Sequence, residues 1–326
     1  MKLLVRLPNW LGDAVMSTAF IDALRLTYPE AKIDIIIKKE LSSIAPLIPG
    51  VNKIHVFSKK DYPGLMGAYN FGKSLKSEQY DIAFNLPSSI SSASMIWATR
   101  AKKRVGFSKE GGFLLLTKVC KRPQNVHRVE EYLSILEQFT SKPAKGQVKL
   151  CVDAGLNGLV LVNFNSEAIS RRMPVGKSIN LINHLTAAFP NERFAFIGSP
   201  NDEDHVQQIL VNAENKDRLE NFAGKTDLIG LAKLMAGAKA LLTTDSGPAH
   251  LANSLGAPVV ALFGAGNEHN TAPYNTEKLT IIRAGKLDCE PCVRNTCELY
   301  GMPRCMKLLG EIQIINALSL YLNHHA

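Results

Sequence analysis

Short apolar runs alternate with segments of helical spacing along the chain. Lys2–Leu7 is an apolar run that ends at Pro8-Asn9, which predicts a buried strand, and the apolar spacing over Ala14–Tyr28 predicts a helix. Later segments repeat the pattern. Strands are predicted at Lys32–Lys38, Lys53–Phe57 and Tyr80–Leu86, and a helix at Val126–Phe139.

The pattern starts again after a polar stretch, Thr140–Lys149, which contains a proline and a glycine and predicts a domain linker. Because strands alternate with helices on both sides of it, we expect an α/β protein of the GT-B type, with two Rossmann-like domains, 1–150 and 151–326, whose parallel sheets face a central cleft. The second domain's predicted strands are Gly158–Phe164, Arg193–Ile197, Ala240–Thr244 and Pro258–Phe263, and its helices Gly176–Phe189, Glu203–Val211, Leu228–Met235 and Pro248–Leu255.

Composition agrees with two soluble domains: 326 residues, 46% hydrophobic and 21% charged. No apolar run approaches the roughly 18 residues of a membrane span. Met1–Trp10 interrupts its apolar stretch with Arg6 and has no cleavage pattern of small residues, so we predict no secretory signal. The expected compartment is the cytosol.

The formal charge of +9 is uneven. Residues 1–150 carry 23 Lys and Arg against 12 Asp and Glu, a net +11, whereas residues 151–326 carry 15 against 17, a net −2. Such a basic half is either a solvated surface or the source of an electrostatic field that attracts anionic partners. Those partners are nucleic acid, an acidic membrane surface or a phosphorylated substrate. The basic clusters lack interleaved aromatics and zinc-finger or RNP signatures, so nucleic acid is the least favoured of these partners.

Four of the six cysteines crowd into 17 residues, with C-x2-C-x4-C-x7-C spacing: Cys289, Cys292, Cys297 and Cys305. In a cytosolic chain this cluster is either a zinc site or a set of reduced thiols. The second pair lacks the two-residue spacing of a zinc ribbon, so we favour the metal-free loop.

The first candidate site follows the first predicted strand, where Gly12 permits a tight turn and Asp13 stands where the helix begins. Ligands of open parallel sheets bind at such strand ends. Two roles are open for Asp13: a helix N-cap or a catalytic base.

The second candidate site is the run Thr243–His250, again a strand end, a glycine turn and a proline in the first helical turn. Asp245, Ser246 and Gly247 offer polar groups to a phosphate or a ribose, and His250 lies in the first turn. A capped, buried helix is the competing interpretation.

Other motifs are incomplete. A serine-hydrolase elbow fails because Thr244 replaces its first glycine. A Walker A loop that would end at Thr226 fails because Leu219 replaces its first glycine. The dinucleotide-binding motif G-x-G-x-x-G does not follow the first strand. Asp202-Glu203-Asp204 matches the metal-binding D-x-D pattern of many nucleotide-sugar enzymes, although acidic residues also commonly open helices.

Four segments, taken together, resemble the heptosyltransferase family. They are L-V-R-x-x-x-x-L-G-D ending at Asp13, Ser170–Pro174, D-S-G-P-A-H at Asp245–His250, and Phe263-Gly264. The opening and the cysteines are more similar to its heptosyltransferase II branch. The resemblance implies a GT-B inverting transferase that needs no metal or other cofactor. It moves L-glycero-D-manno-heptose from an ADP-sugar to the inner core of lipopolysaccharide.

The resemblance also implies roles for residues. Asp13 matches the general base. Arg171 stands where the family has a lysine at the donor diphosphate, and is assigned to catalysis as well as to donor binding. The other donor-binding assignments are Ser166, Glu203, Thr226, Asp245, Ser246, Gly247 and His250.

The implied acceptor is Kdo-lipid A or a heptosylated inner core, anchored in the cytoplasmic leaflet of the inner membrane. Acidic groups on such an acceptor, and the membrane itself, explain a basic first domain. We assign Arg6 and Arg104 to the acceptor. The remaining alternatives are a non-enzymatic nucleotide- or anion-binding protein and an enzyme that modifies NDP-sugars.

Overall fold

The computed structural model describes residues 1–109 and 111–322, and the chain divides into two compact units, Met1–Cys151 and Val152–Ala326. The first unit holds the strands β1 (Lys2–Arg6), β2 (Lys32–Lys38), β3 (Val51–Phe57), β4 (Ile82–Asn85), β5 (Lys103–Gly106) and β6 (Lys118–Val119). Its helices are α1 (Leu11–Met16), α2 (Thr18–Thr27), α3 (Gly64–Ser74), α4 (Ile90–Ala98) and α5 (Arg128–Thr140).

The second unit has the same alternation. Its strands are β7 (Leu159–Asn163), β8 (Arg193–Phe196), β9 (Leu219–Asn221), β10 (Ala240–Thr244), β11 (Val259–Phe263) and β12 (Leu279–Arg283). Its helices are α6 (Val175–Ala188), α7 (Glu203–Asn212), α8 (Leu228–Ala236), α9 (Gly247–Ser254), α10 (Glu268–Thr271), α11 (Arg304–Lys307) and α12 (Glu311–Leu322).

Each unit folds around one parallel sheet, which confirms the predicted α/β class. Within the described residues the sheets have six strands each, in the orders β3-β2-β1-β4-β5-β6 and β12-β11-β10-β7-β8-β9. Each order reverses direction beside the unit's first strand, between β1 and β4 and between β7 and β10. Such switch points open a crevice at the carboxyl ends of the strands, where ligands bind.

The central strands are apolar because helices cover both of their faces. All five residues of β7, β10 and β11 are buried. Aromatic side chains fill the space between sheet and helices: Phe20 packs edge-on against Phe84 at 5.2 Å between ring centroids, and Phe164 against Phe196 at 5.8 Å. These cores hold the strand ends in place.

The helix predicted over Ala14–Tyr28 is two helices, because the chain breaks at Ser17. Its hydroxyl donates to the carbonyl of Ala14 at 2.7 Å, and that of Thr18 to Val15 at 2.7 Å. Side-chain bonds of this kind compete with the helical ladder. The break makes α1 a short element that carries Asp13.

The stretch predicted as a linker lies against α2 in the first unit. The amide of Gln147 donates to Asp22 at 3.0 Å and that of Lys149 to the hydroxyl of Thr18 at 3.1 Å, while Val148 and Leu150 are buried. Among the described residues of both units, no helix is long and apolar enough to cross a membrane.

A buried carboxylate lies in β2, away from the strand ends that face ligands. Asp34 is fully buried and accepts hydrogen bonds from Tyr80 at 2.8 Å and Asn52 at 2.7 Å; His55 bonds to the Tyr80 hydroxyl at 2.7 Å. Burial alone would raise the pKa of Asp34, but His55, Asn52, Tyr80 and Lys2 lower it to about 2.

We expect Asp34→Asn to lower the free energy of unfolding at pH 7 by on the order of 2 kcal/mol. A carboxyl whose pKa is lower in the folded than in the unfolded chain stabilises the fold above the unfolded pKa of about 3.9, and that contribution is lost as pH falls toward 2. Thermal melts of both proteins from pH 3 to 7 measure it. A difference that stays constant over this range would contradict the interpretation.

Candidate active site

The switch point of the first unit is a pocket between the ends of β1 and β4. It is formed by the loop after β1, by the loop after β4 and by polar side chains from α5 and the segment before it. Its lining residues are Pro8, Asn9, Trp10, Asp13, Leu86, Pro87, Ser88, Phe107, Arg122, Arg128, Glu131 and Tyr132.

Among the described residues, Asp13 is one of two carboxylates that line this pocket, with Glu131. It is the third residue of α1, whose N-cap is Trp10, so its side chain does not cap the helix. Its Oδ1 accepts a hydrogen bond from the hydroxyl of Tyr132 at 3.3 Å and lies 3.3 Å from Nε of Arg128. Burial raises the pKa of Asp13, against opposing effects of Arg128 and Tyr132. A carboxylate of raised pKa is a better proton acceptor.

Glu131 links two arginines at the pocket wall. Its Oε2 lies 2.7 Å from Arg128 and its Oε1 2.8 Å from Arg122. Arg122, Glu131, Arg128 and Asp13 thus form a row of alternating charges, closed by Tyr132.

Arg6 and Arg104 do not line this pocket. Arg6 is 2% exposed and donates to the carbonyl of Leu7 and to Asn9, which fixes the loop between β1 and Asp13; burial lowers the pKa of Arg6 to about 10. Arg104 lies in the first half of β5 and donates to the carbonyls of Leu115 at 2.9 Å and Ala101 at 2.8 Å. An acceptor-binding role of both stays a prediction.

In the second unit an ion pair stands at the switch point. Asp245 follows β10 directly and is 4% exposed. Its Oδ2 lies 3.0 Å from a terminal nitrogen of Arg171, the last residue of the 3₁₀ helix Ile169–Arg171. Burial raises the pKa of Asp245 to about 6, although Arg171 and Arg283 oppose the rise. Nε of Arg171 is buried and, within the described residues, makes no hydrogen bond.

The turn around Asp245 depends on a close backbone approach. A Cβ on Gly266, in the loop after β11, would overlap Oδ2 of Asp245. Ser246 is the N-cap of α9, and its hydroxyl accepts from Asn163 at 2.9 Å. Gly247 begins the helix, and His250 is buried in its first turns. The opening turn of a helix leaves amide groups unbonded, and these favour anions.

The remaining predicted donor residues lie in or directly after the loops that follow three strands: Ser166 after β7, Glu203 after β8 and Thr226 after β9. Glu203 begins α7, and a Cβ on Gly224 would overlap its carboxylate, so this carboxylate lies against the loop that contains Thr226. Ser166 is buried in the loop after β7, where its carbonyl accepts from Arg172 at 3.2 Å.

The D-x-D segment does not present Asp202 to solvent as a free metal ligand. Its carboxylate pairs with Arg172 at 2.7 Å and closes a capping box with Ser199. Across the residues that the structure describes, no group of three or more His, Cys, Asp or Glu is placed to hold a metal ion.

Three of the clustered cysteines lie in the loop between β12 and α11, which contacts the donor-side turns, and the fourth, Cys305, lies in α11. All four are unpaired, and they line one small cavity. The loop accepts two hydrogen bonds from Ser170, beside Arg171: the amide donates to Asn295 at 3.0 Å and the hydroxyl to Arg294 at 2.5 Å. Burial raises the pKa of Cys305 to about 11, which disfavours a reactive thiolate there.

We expect protein purified without chelator to contain far less than one zinc per chain by elemental analysis. A thiol whose pKa is raised is a poor metal ligand unless a metal displaces its proton. Near-stoichiometric zinc, lost in the Cys289→Ser/Cys292→Ser double variant, would instead establish a metal site in this loop.

Several residues of the two sites were not predicted from the sequence. Arg128, Glu131 and Tyr132 lie within the helix that was predicted, and their i, i+3, i+4 spacing puts them on one face. That spacing is the available signal. Arg283 was not predicted either: this side chain donates to the carbonyls of Gly264 and Gly266 and pairs with Glu268, so it fixes the turn that faces Asp245.

Known proteins resemble the chain over most of its length. Residues 68–302 match the model of Glycosyltransferase family 9 (heptosyltransferase). The lipopolysaccharide heptosyltransferase 2 of Salmonella typhimurium is 28% identical over 316 residues, covering 87% of this chain and 88% of that protein. The lipooligosaccharide heptosyltransferase 2 of Haemophilus influenzae is 26% identical over 309 residues, with the same coverage.

Among solved structures, the ADP-heptose LPS heptosyltransferase II of E. coli superposes with a TM-score of 0.83 at 24% identity and covers 100% of both chains. This likeness confirms the predicted GT-B fold class. The family match contains the second-unit site and α5, whereas Asp13 lies before residue 68.

Proposed function

The chain belongs to glycosyltransferase family 9, the heptosyltransferases, and we propose that it transfers L-glycero-D-manno-heptose from ADP-heptose to the inner core of lipopolysaccharide with inversion at the anomeric carbon. The acceptor and donor classes are those in the names of its relatives, which act on lipopolysaccharide or lipooligosaccharide and, for the E. coli structure, ADP-heptose. The chain is therefore a glycosyltransferase, and the proposal concerns its particular donor and acceptor.

The observation that supports the mechanism is that the two carboxylate oxygens of Asp13 have different surroundings. Oδ1 accepts a hydrogen bond from Tyr132 and lies beside Arg128, while no hydrogen bond to Oδ2 is found within the described residues. Asp13 lines a pocket at the switch point of its sheet, where a ligand is expected. An unpaired oxygen of a partly buried carboxylate is suited to accept the proton of an acceptor hydroxyl.

Inversion needs a single displacement. As the acceptor oxygen attacks the anomeric carbon, its proton passes to Oδ2 of Asp13, and the bond between that carbon and the β-phosphate oxygen of ADP breaks on the opposite face. The leaving group takes the electron pair of that bond, so negative charge grows on the diphosphate.

The second unit is suited to receive that charge. Arg171 has a buried Nε without a partner in the described chain, and a guanidinium fork matches phosphate oxygens. The opening turn of α9, which contains Ser246, Gly247 and His250, follows Asp245 in the sequence. Its backbone amides can donate to phosphate oxygens. Glu203, Thr226 and Ser166 complete the donor site in this proposal, with Glu203 toward the ribose.

The first unit provides the basic surface for an acidic acceptor. Arg122 and Arg128 line the Asp13 pocket, and Arg6 fixes the loop beside it. We place Kdo-lipid A or a heptosylated core on this unit, with peripheral contact between its basic surface and the cytoplasmic face of the inner membrane. Nucleic acid is not a partner in this proposal.

A direct test incubates the protein with ADP-heptose and a truncated Kdo-lipid A acceptor and measures the mass of the product. Addition of one heptose supports the proposal, and activity that survives excess EDTA supports a metal-free displacement. ADP binding without transfer would favour a non-enzymatic nucleotide-binding protein. A changed sugar nucleotide with no acceptor product would favour an NDP-sugar-modifying enzyme.

A further inference from the structure

Two side chains from α5 contact one and the same oxygen of Asp13. The hydroxyl of Tyr132 donates to Oδ1 at 3.3 Å, and Nε of Arg128 lies 3.3 Å from Oδ1. Residues four apart on a helix share a face, so both contacts come from a single rigid surface. Tyr132 is 4% exposed, which leaves its ring little freedom to move.

Arg128 is also held by Glu131, a residue of the same helix. Its NH1 donates to Glu131 at 2.7 Å, and the other oxygen of Glu131 lies 2.8 Å from Arg122. Glu131 is buried, and a carboxylate between two guanidinium groups has both oxygens occupied. Arg128 therefore lies between two carboxylates, with NH1 bonded to Glu131 and Nε near Asp13.

Resting on the proposed function, we propose that Tyr132 and Arg128 are positioning residues, which anchor Oδ1 of Asp13 so that Oδ2 is the oxygen that takes the acceptor's proton. Asp13 lies on α1, a six-residue helix that ends at the break at Ser17, so this support comes from a different helix, α5. A carboxylate held through one oxygen presents the other oxygen without first having to turn. The cost of reorientation is met during folding instead of during each turnover.

The same contacts set the protonation of the base. The charged or titratable groups that act on Asp13 are Arg128, Glu131 and Tyr132 of α5 and Arg122 from the preceding segment. The hydrogen bond from Tyr132 and the charge of Arg128 both lower the pKa of Asp13, against its burial. Removing either one should raise that pKa, so the base should lose its proton only at higher pH.

The experiment is the pH profile of kcat/KM for Tyr132→Phe, with ADP-heptose and the lipid acceptor. We expect the acid limb to move to higher pH by about half a unit to one unit. We expect kcat on the plateau to fall by about three- to tenfold, with the donor KM unchanged. A tyrosine that only stabilised the fold would lower the melting temperature and leave the acid limb in place.

Tyr80→Phe is the matched control. It removes another buried tyrosine hydroxyl that donates to an aspartate of the same unit, Asp34, without touching the pocket. We expect a lower melting temperature and an unchanged acid limb for this variant.

Arg128 gives a second measurement. Arg128→Gln removes the charge and should move the acid limb upward, while Arg128→Lys keeps the charge and should restore most of the wild-type profile. The proposal is overturned if the limb of both Tyr132→Phe and Arg128→Gln coincides with that of the wild type while Asp13→Asn is inactive. If Asp13→Asn remains active, the proposed base itself fails, and the two failures are thereby distinguished.

Discussion

Asp13→Asn should reduce kcat at least about a hundredfold, the lower end of what general-base catalysis contributes. Asparagine has nearly the same shape as aspartate, and its carbonyl oxygen can still accept from Tyr132 and lie beside Arg128. It cannot take a proton, however, so the acceptor hydroxyl must attack without a base. Single-turnover assays with saturating ADP-heptose would isolate this step from substrate binding.

The other properties of Asp13→Asn should stay close to those of the wild type. ADP affinity, measured by calorimetry, depends in this proposal on residues of the second unit and should not change. The melting temperature should hold or rise slightly, because the variant removes a carboxylate whose ionised form burial disfavours. Asp81→Asn, which alters a carboxylate that pairs with Lys102, is the control. Turnover of Asp13→Asn within a few-fold of wild type would assign Asp13 a structural role.

Sequence patterns were sufficient for the strands at the centre of each sheet. Strands β2 and β10 have the bounds that the sequence predicts, because each is a short, mostly apolar run with polar residues at its end. Strand β5, KRVG, is half charged, and β9, LEN, has three residues. Both lie toward the sheet edges, where burial is partial and the apolar signal weakens, so the sequence pattern does not predict them.

The site residues divide in a similar way. Asp13 and Asp245 each follow a strand and lie close to a glycine, a local pattern that a single sequence displays. Tyr132 lies 119 residues from Asp13, and its role arises only when α5 packs against α1. The cap hypothesis for Asp13 is decided by where the helix begins: α1 begins at Leu11, three residues before Ala14, which moves Asp13 from the cap into the first turn.

Arg171→Ala should weaken ADP binding at least about tenfold, since a charge-assisted hydrogen bond contributes roughly 1.5–3 kcal/mol. The loss in kcat/KM should be larger, about a hundredfold or more, because the charge on the diphosphate is greatest as the sugar departs. Calorimetry with ADP and steady-state kinetics measure the two effects separately.

The structure adds a consequence for Asp245 in this variant. Without Arg171, the buried carboxylate loses the partner that lies 3.0 Å away, and its pKa, already about 6, should rise further. Asp245 can then take up a proton near neutral pH, which limits the energetic cost of leaving it buried. We therefore expect a modest fall in melting temperature beside the large fall in ADP affinity.

Two variants separate charge from geometry at this position. Arg171→Lys keeps the charge without the fork, and the family resemblance places a lysine here, so it should recover most of the lost affinity. Arg193→Ala removes an exposed arginine of the same unit, one paired with Glu220, and should leave ADP binding unchanged. If Arg171→Ala binds ADP as tightly as Arg193→Ala does, the diphosphate is held elsewhere, and the ion pair with Asp245 serves only to secure the turn after β10.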